Sequence, residues 1–250
     1  MPMFDATAAF DALCPRALLR GAAALLVAAS MLAAPRAIAS DDEQSGWLAW
    51  FNNTALTPDF GLISDVQVRS RDEWTGVRNL LVRPGLSWFA APGHTFSAGY
   101  AYIGTYPEGA PAATEHRTWQ QYVFSRALSF GSVSQRLRLE QRFIGRNGAD
   151  DLYSDRLRWF GRAVLPLDGA MPFRHGAFVA LQNEVFLNLS ARDELNARTL
   201  DQNRAYVALG WRLSPTTDVE IGYLNQWTQR RNGDTVNHIL QVALYTQLSR

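Results

Sequence analysis

The chain has 250 residues, in which 24 basic residues balance 23 acidic residues and leave a formal net charge of +1. This balance gives no support to a nucleic-acid partner, because such proteins usually carry a strongly basic face. Beyond the N-terminal segment, no stretch approaches 18 consecutive apolar residues, which excludes helical membrane spans there. The roughly 210 residues that remain suffice for one domain.

The N-terminal segment has the pattern of a secretory signal peptide. Arginines at positions 16 and 20 accompany an apolar core over 18–34, and Ala37-Ile38-Ala39 offers the small-x-small pattern of a cleavage site. The sequence therefore predicts a signal peptide over 1–39, cleaved near Ala39, and a single mature domain over 40–250. An uncleaved anchor is the alternative, although the apolar core is short for a helix that spans a bilayer.

Ten later segments alternate polar and apolar residues with a period of two, which is the pattern of β-strands with two different faces. Soluble strands usually have about 5–6 residues, whereas tilted strands that cross a bilayer need about 9–11. The longer class fits these segments. The predicted strands are 59–71, 77–89, 94–106, 116–128, 132–144, 151–166, 175–188, 202–213, 217–228 and 235–248.

The connections between these strands alternate in length. Tight connections are predicted near Pro92-Gly93, Phe130-Gly131 and Ser214-Pro215, and longer polar ones at 107–115, 145–150, 189–201 and 229–234. Outer-membrane barrels have short periplasmic turns and longer outer loops. We therefore expect the longer connections outside the cell and a last strand that runs towards the periplasm.

Residues 47–56 form an eleventh candidate strand, joined to the next by Thr57-Pro58-Asp59. Bacterial single-chain barrels have even strand numbers. We therefore expect that this segment lies inside the barrel or along its rim, or that another strand is missed or merged. The prediction is ten to twelve strands.

The last predicted strand illustrates the two faces, because Leu240, Val242 and Leu244 alternate with polar positions such as Asn237 and Gln241. A charge at mid-bilayer costs about 2–4 kcal/mol, so in a membrane barrel the apolar set faces lipid and the polar set lines the interior. Aromatic residues at strand ends would form girdles at both interfaces. The candidates are Trp88, Trp211, Tyr106, Trp119 and Trp227.

The hairpin 132–166 carries the strongest local signal, which is a series of arginines at alternate positions on two adjacent strands. Both series should point into the barrel and form a two-strand arginine ladder. Carboxylates on other strands, among them Asp65, are candidate partners. The predicted pore-lining residues are Arg136, Arg138, Glu140, Arg142, Arg156, Arg158, Arg162, Glu184, Arg204 and Glu220.

Two interpretations of this interior remain open. In one, the arginines pair with the inward acids and fill the barrel, because about ten strands leave little spare room. In the other, the excess of arginine lines a water-filled passage that favours anions. Small residues on one predicted inner face leave some space for such a passage; they are Ser97, Gly99 and Ala101.

Two alternatives place the chemistry elsewhere. A soluble periplasmic barrel would bury the apolar set, expose the arginines and carry an apolar ligand. An outer-membrane lipid hydrolase would need a converging serine, histidine and acid. His116 or His238 with Asp155 or Glu194 is the candidate set, and no G-x-S-x-G motif supports it. We expect no catalytic residues, no metal site and no cofactor.

Several stretches resemble a bacterial family. They are Trp47, the strand 135–143 with its R-L-R-x-E-x-R pattern, Asn183-Glu184, and the run from Asn203 to Gln226. They resemble domain-of-unknown-function family 2490 over nearly the whole mature chain. The resemblance implies a signal-bearing outer-membrane barrel with no established activity and no catalytic residues.

The sequence thus predicts an all-β fold, an antiparallel up-and-down transmembrane β-barrel of about 10–12 strands. We expect it in the outer membrane of a Gram-negative bacterium, as a structural protein or a small anion-favouring pore. Its expected partners are outer-membrane lipids, lipopolysaccharide and the barrel-assembly machinery.

Overall fold

The computed structural model describes residues 41–249 except 147 and 170. The predicted signal peptide lies outside the described residues. Within them, no helix is long and apolar enough to cross a membrane. The same part of the chain forms eleven strands closed into a barrel. They are β1 (Asp41–Ala55), β2 (Phe60–Ser70), β3 (Val77–Ala91), β4 (His94–Thr105), β5 (Ala113–Leu128), β6 (Gly131–Arg146), β7 (Ala149–Pro166), β8 (Gly176–Asn188), β9 (Leu200–Ser214), β10 (Thr217–Thr228) and β11 (Thr235–Ser249).

The barrel closes through a parallel pair. Successive strands pair in antiparallel register from β1–β2 to β10–β11, whereas β1 pairs with β11 in parallel, with Asp41 opposite Thr235. An up-and-down barrel with an odd number of strands closes only in this way, because its first and last strands run in the same direction. The prediction of ten to twelve strands is confirmed. The expectation that 47–56 lies inside or along the rim is wrong, because this segment belongs to the wall strand β1.

The two ends of the barrel differ in their connections. We call the end that carries 71–76, 106–112, 147–148, 189–199 and 229–234 the long-loop rim. The other end, the short-turn rim, carries 56–59, 92–93, 129–130, 167–175 and 215–216. The predicted alternation is confirmed with two corrections. Only two residues separate Arg146 from Ala149, and 167–175 is a long connection at the rim with otherwise short turns.

The period of two separates an apolar outer face from a polar inner face. Leu86 is 66% exposed, and Leu209 and Leu240 are also exposed on the outer face. On the inner face, Arg138 is 3% exposed and Glu220 is fully buried. The burial pattern expected of a soluble carrier, with apolar residues inside and arginines outside, is therefore wrong for this barrel.

The predicted aromatic girdle residues divide into two groups. Trp88, Trp211 and Tyr106 are exposed near strand ends, as predicted. Trp227 is buried, and its indole N–H donates to Asp234 at 3.2 Å. Trp119 is also buried, so the prediction of two further exposed girdle residues is wrong.

Trp119 occupies an inner-face position of β5, where two glycines make room for its indole. A Cβ atom at Gly85 or Gly99 would collide with the Trp119 ring. The ring is fixed by a 3.1 Å hydrogen bond from its N–H to the carbonyl oxygen of Tyr100. The space expected beside the small residues of β4 is therefore taken up by an aromatic side chain from β5.

We expect Gly99→Ala to lower the free energy of unfolding by about 1–3 kcal/mol, the usual cost of overpacking. The added Cβ would also meet the backbone carbonyl of Pro84, which cannot move aside as a side chain would. Gly161→Ala is the matched control, because its Cβ meets only the Trp159 ring at 3.3 Å. Urea unfolding of the two variants compares them directly, and equal midpoints would contradict this account.

Candidate functional site in the barrel interior

The structure places all ten predicted pore-lining side chains on the inner face of the wall. Six of them are buried, namely Arg138, Glu140, Arg156, Arg158, Glu184 and Glu220. The other four are half-buried, namely Arg136, Arg142, Arg162 and Arg204. The predicted ladder is present in register, with Arg138 opposite Arg158 and Glu140 opposite Arg156 on β6 and β7.

Two carboxylates organise the ladder around Arg158. The Arg158 guanidinium donates to Glu140 Oε1 at 2.5 Å and to Glu184 Oε1 at 2.6 Å. Glu140 also accepts from Arg156 at 2.7 Å, and Glu184 accepts from Arg136 at 2.5 Å. Each buried carboxylate is thus shared by more than one guanidinium, which compensates the cost of removing both charges from water.

Further ion pairs extend this network around the barrel. Asp65 and Glu220 are inner partners, as the sequence indicated, with Asp65 2.6 Å from Arg83 and Glu220 bound to Arg162. Sequence reasoning missed Glu115, which lies 2.7 Å from Arg117 and 2.6 Å from Arg142. Alternation along β5 puts Glu115 and Arg117 on one face, so this signal was available in the sequence.

Two inward arginines have no carboxylate within 4.0 Å in the described part of the chain. Arg69 donates to Gln67 Oε1 at 2.6 Å and lies 3.7 Å from the centre of the Trp47 ring. Arg138 donates to Gln121 Oε1 at 2.6 Å and stacks on an indole in the same way. Amide acceptors and aromatic faces stabilise these cations without neutralising them, so the interior keeps an excess of positive charge.

Two cavities lie inside the barrel in the described part of the chain. A cavity of about 290 Å³ lies towards the long-loop rim, and one of about 700 Å³ lies towards the short-turn rim. The residues that line both cavities form what we call the constriction. They are Trp47, Arg69, Arg83, Arg158 and Arg204. Four of these five side chains are arginines, and Arg204 also packs on the Trp47 ring at 5.1 Å.

In the described structure, neither candidate histidine is hydrogen-bonded to Asp155 or Glu194. His116 and His238 occupy outward positions, where each is hydrogen-bonded to a tyrosine of the neighbouring strand. Asp155 instead binds the hydroxyls of Ser190 and Tyr153. Among residues 41–249 with their two gaps, no cluster of three or more His, Cys, Asp or Glu side chains is arranged to hold a metal ion.

The family relationship follows the barrel wall. The family model described as a protein of unknown function (DUF2490) matches residues 44–237, from β1 to the start of β11. The chain belongs to the DUF2490 family. This DUF2490 chain is 28% identical over 228 residues to an uncharacterized protein of Methylorubrum extorquens, which covers 89% of the chain and 97% of that protein. No solved structure matches the chain.

The shared carboxylate predicts a large effect of one substitution. Glu140→Gln should lower the free energy of unfolding by about 3–5 kcal/mol, because it leaves buried guanidinium groups uncompensated. Glu43→Gln is the matched control at the long-loop rim, where the 2.7 Å pair with Arg78 is partly solvated. The control should change the free energy by less than about 1 kcal/mol. Urea titration measures both, and a Glu140→Gln variant as stable as the control would contradict the account.

Proposed function

We propose that this DUF2490 barrel lies in the outer membrane of the bacterial cell envelope and that its interior is a narrow passage that favours small anions. The arginines of the constriction support the anion passage. The apolar outer face and the predicted signal peptide support the location.

The outer face has the chemistry that a lipid environment requires. The outward residues of 157–165, 205–213 and 240–248 are uncharged, and these stretches match the 9–11 residues of a tilted membrane strand. The exposed Arg126 lies close to the short-turn rim. Lipid cannot supply hydrogen bonds, so polar groups at membrane depth need partners within the protein.

Two pairs of amide side chains on the outer face meet that need by bonding to each other. Asn183 and Asn203 exchange two hydrogen bonds of 3.3 Å between β8 and β9. Gln120 and Gln141 exchange hydrogen bonds of 3.1 and 3.3 Å between β5 and β6. Each pair is compatible with contact to hydrocarbon, whereas water would make such reciprocal pairing unnecessary.

The charge of the constriction favours anions. Arg83 is neutralised by Asp65, and Arg158 shares Glu184 with Arg204, whereas the charge of Arg69 is uncompensated. Rings of arginine select anions in membrane pores. An ion that crosses between the two cavities passes these guanidinium groups, because they line both cavities.

The location is tested by expressing a tagged copy in a Gram-negative host. We expect the mature protein in the outer-membrane fraction, with a mass that corresponds to cleavage near Ala39. Its migration on a denaturing gel should shift on boiling, because folded membrane barrels resist detergent until heated. A copy without residues 2–39 is the control and should stay out of the envelope. Recovery of the intact protein in the periplasm with no shift would refute the location.

The passage is tested by the reversal potential of the purified barrel in a planar bilayer under a KCl gradient. The wild type should favour chloride, and Arg69→Gln should reduce that preference several-fold. Arg69 suits this test because no carboxylate in the described structure loses its partner when Arg69 is replaced. Arg126→Gln, which removes a positive charge from the outer face, should leave the preference unchanged. If the folded wild-type barrel conducts no current, the passage is refuted and a structural role is favoured.

A further inference from the structure

The two cavities differ in the chemistry of their walls. The smaller one, towards the long-loop rim, is lined mainly by charged and amide side chains such as Glu115, Arg117 and Asn237. The larger one, towards the short-turn rim, has Arg69 and Arg204 at its inner end and an apolar ring nearer its mouth, where Arg162 stacks on a ring member, Tyr245. The ring consists of Phe51, Ile63, Phe89, Val123 and Tyr245. A passage for ions alone has no use for this ring.

The apolar ring faces the interior from five different strands. Phe51 and Phe89 lie near the ends of β1 and β3 at the short-turn rim, and Ile63 lies near the start of β2. Phe51 stacks on Tyr245 with ring centres 4.8 Å apart. These side chains are only half-buried, so part of their apolar surface faces the cavity. Covering that surface with hydrocarbon would be favourable by about 25 cal/mol per Å².

The same cavity offers positive charge that the protein does not neutralise. Arg69 and Arg138 line it and have no carboxylate within 4.0 Å in the described residues. The repulsion that Arg69 experiences from Arg204, Arg83 and Arg158 would fall if an anion were bound among them. Two of these neighbours already bind carboxylates of the protein, since Arg158 binds Glu184 and Arg83 binds Asp65.

We propose that the larger cavity binds an amphipathic carboxylate, with its head at Arg69 and its hydrocarbon body along the apolar ring. The volume of about 700 Å³ lies within the range of small-molecule sites. Arginine forks match carboxylates with two parallel hydrogen bonds. The ligand enters at the short-turn rim and reaches the constriction head first. This binding activity is separate from the passage of small anions, and neither requires the other.

The test is calorimetric titration of the wild-type barrel in lipid nanodiscs with three probes that separate head from body. Sodium octanoate has both parts, sodium acetate has the head alone, and 1-octanol has the body without the charge. Octanoate should bind at least about tenfold more tightly than either of the others, because only it uses both regions. Empty nanodiscs measure partition into lipid. Octanoate uptake equal to that of empty discs, or octanol binding as tight as octanoate, would overturn the proposal.

Variants assign the two halves of the site. Arg69→Gln should weaken octanoate binding about tenfold, which is the loss of one charge-assisted contact. Phe89→Ser should weaken octanoate binding about tenfold and leave acetate unchanged, because it alters only the apolar ring. Arg126→Gln, on the outer face, should change neither. A shift in gel mobility on boiling shows that each variant is folded.

The result is independent of the conductance recordings. Octanoate binding in a barrel that passes no current would support this site and refute the passage. A barrel that passes current but does not bind octanoate would support the passage and refute this site. If Arg69→Gln does not fold, two measurements still test the carboxylate site. They are the three-probe comparison on the wild type and the octanoate affinity of the Phe89→Ser variant.

Discussion

The ion pairs around Arg158 are the interaction on which the rest of this barrel depends. Charged side chains survive in a protein interior only when each has a partner of opposite charge or a strong acceptor. Glu140 and Glu184 provide this by sharing Arg158 between them and binding Arg156 and Arg136 from either side. Aromatic side chains of the inner face, such as Trp119 and Phe186, pack on the guanidinium groups of this network. The large exposed apolar side chains lie on the outer face.

The closing strand connects this network to the two cavities. β1 supplies Trp47, whose ring contacts Arg69 from β2 and Arg204 from β9. Without β1, these two arginines would lose the aromatic ring on which they pack in the constriction. The parallel pairing of β1 with β11 is thus part of the site as well as the seam of the wall.

The sequence predicted the strands and their faces well, because alternation with a period of two is a direct consequence of strand geometry. It therefore placed all ten ladder and partner residues on the inner face. It failed where the outcome depends on neighbours in space. Trp119 was assigned to a girdle although alternation with Arg117 puts it on the inner face; only the space beside Gly85 and Gly99 on other strands lay beyond the sequence. The parity rule misplaced β1, since only the closed register shows that β11 accepts a parallel partner. Acid–base partners such as Glu115 and Arg142 come from that register too.

The odd strand number also gives the molecule a direction. In a barrel with an even number of strands both chain ends emerge on one side, whereas here Asp41 lies at the long-loop rim and Ser249 at the short-turn rim. Under the proposed membrane location, with the short-turn rim facing the periplasm, the start of β1 would lie on the outer side of the membrane and the end of β11 on the periplasmic side. Assembly would then have to carry the start of β1 across the bilayer, as well as the loops between strands, before β1 joins β11 edge to edge.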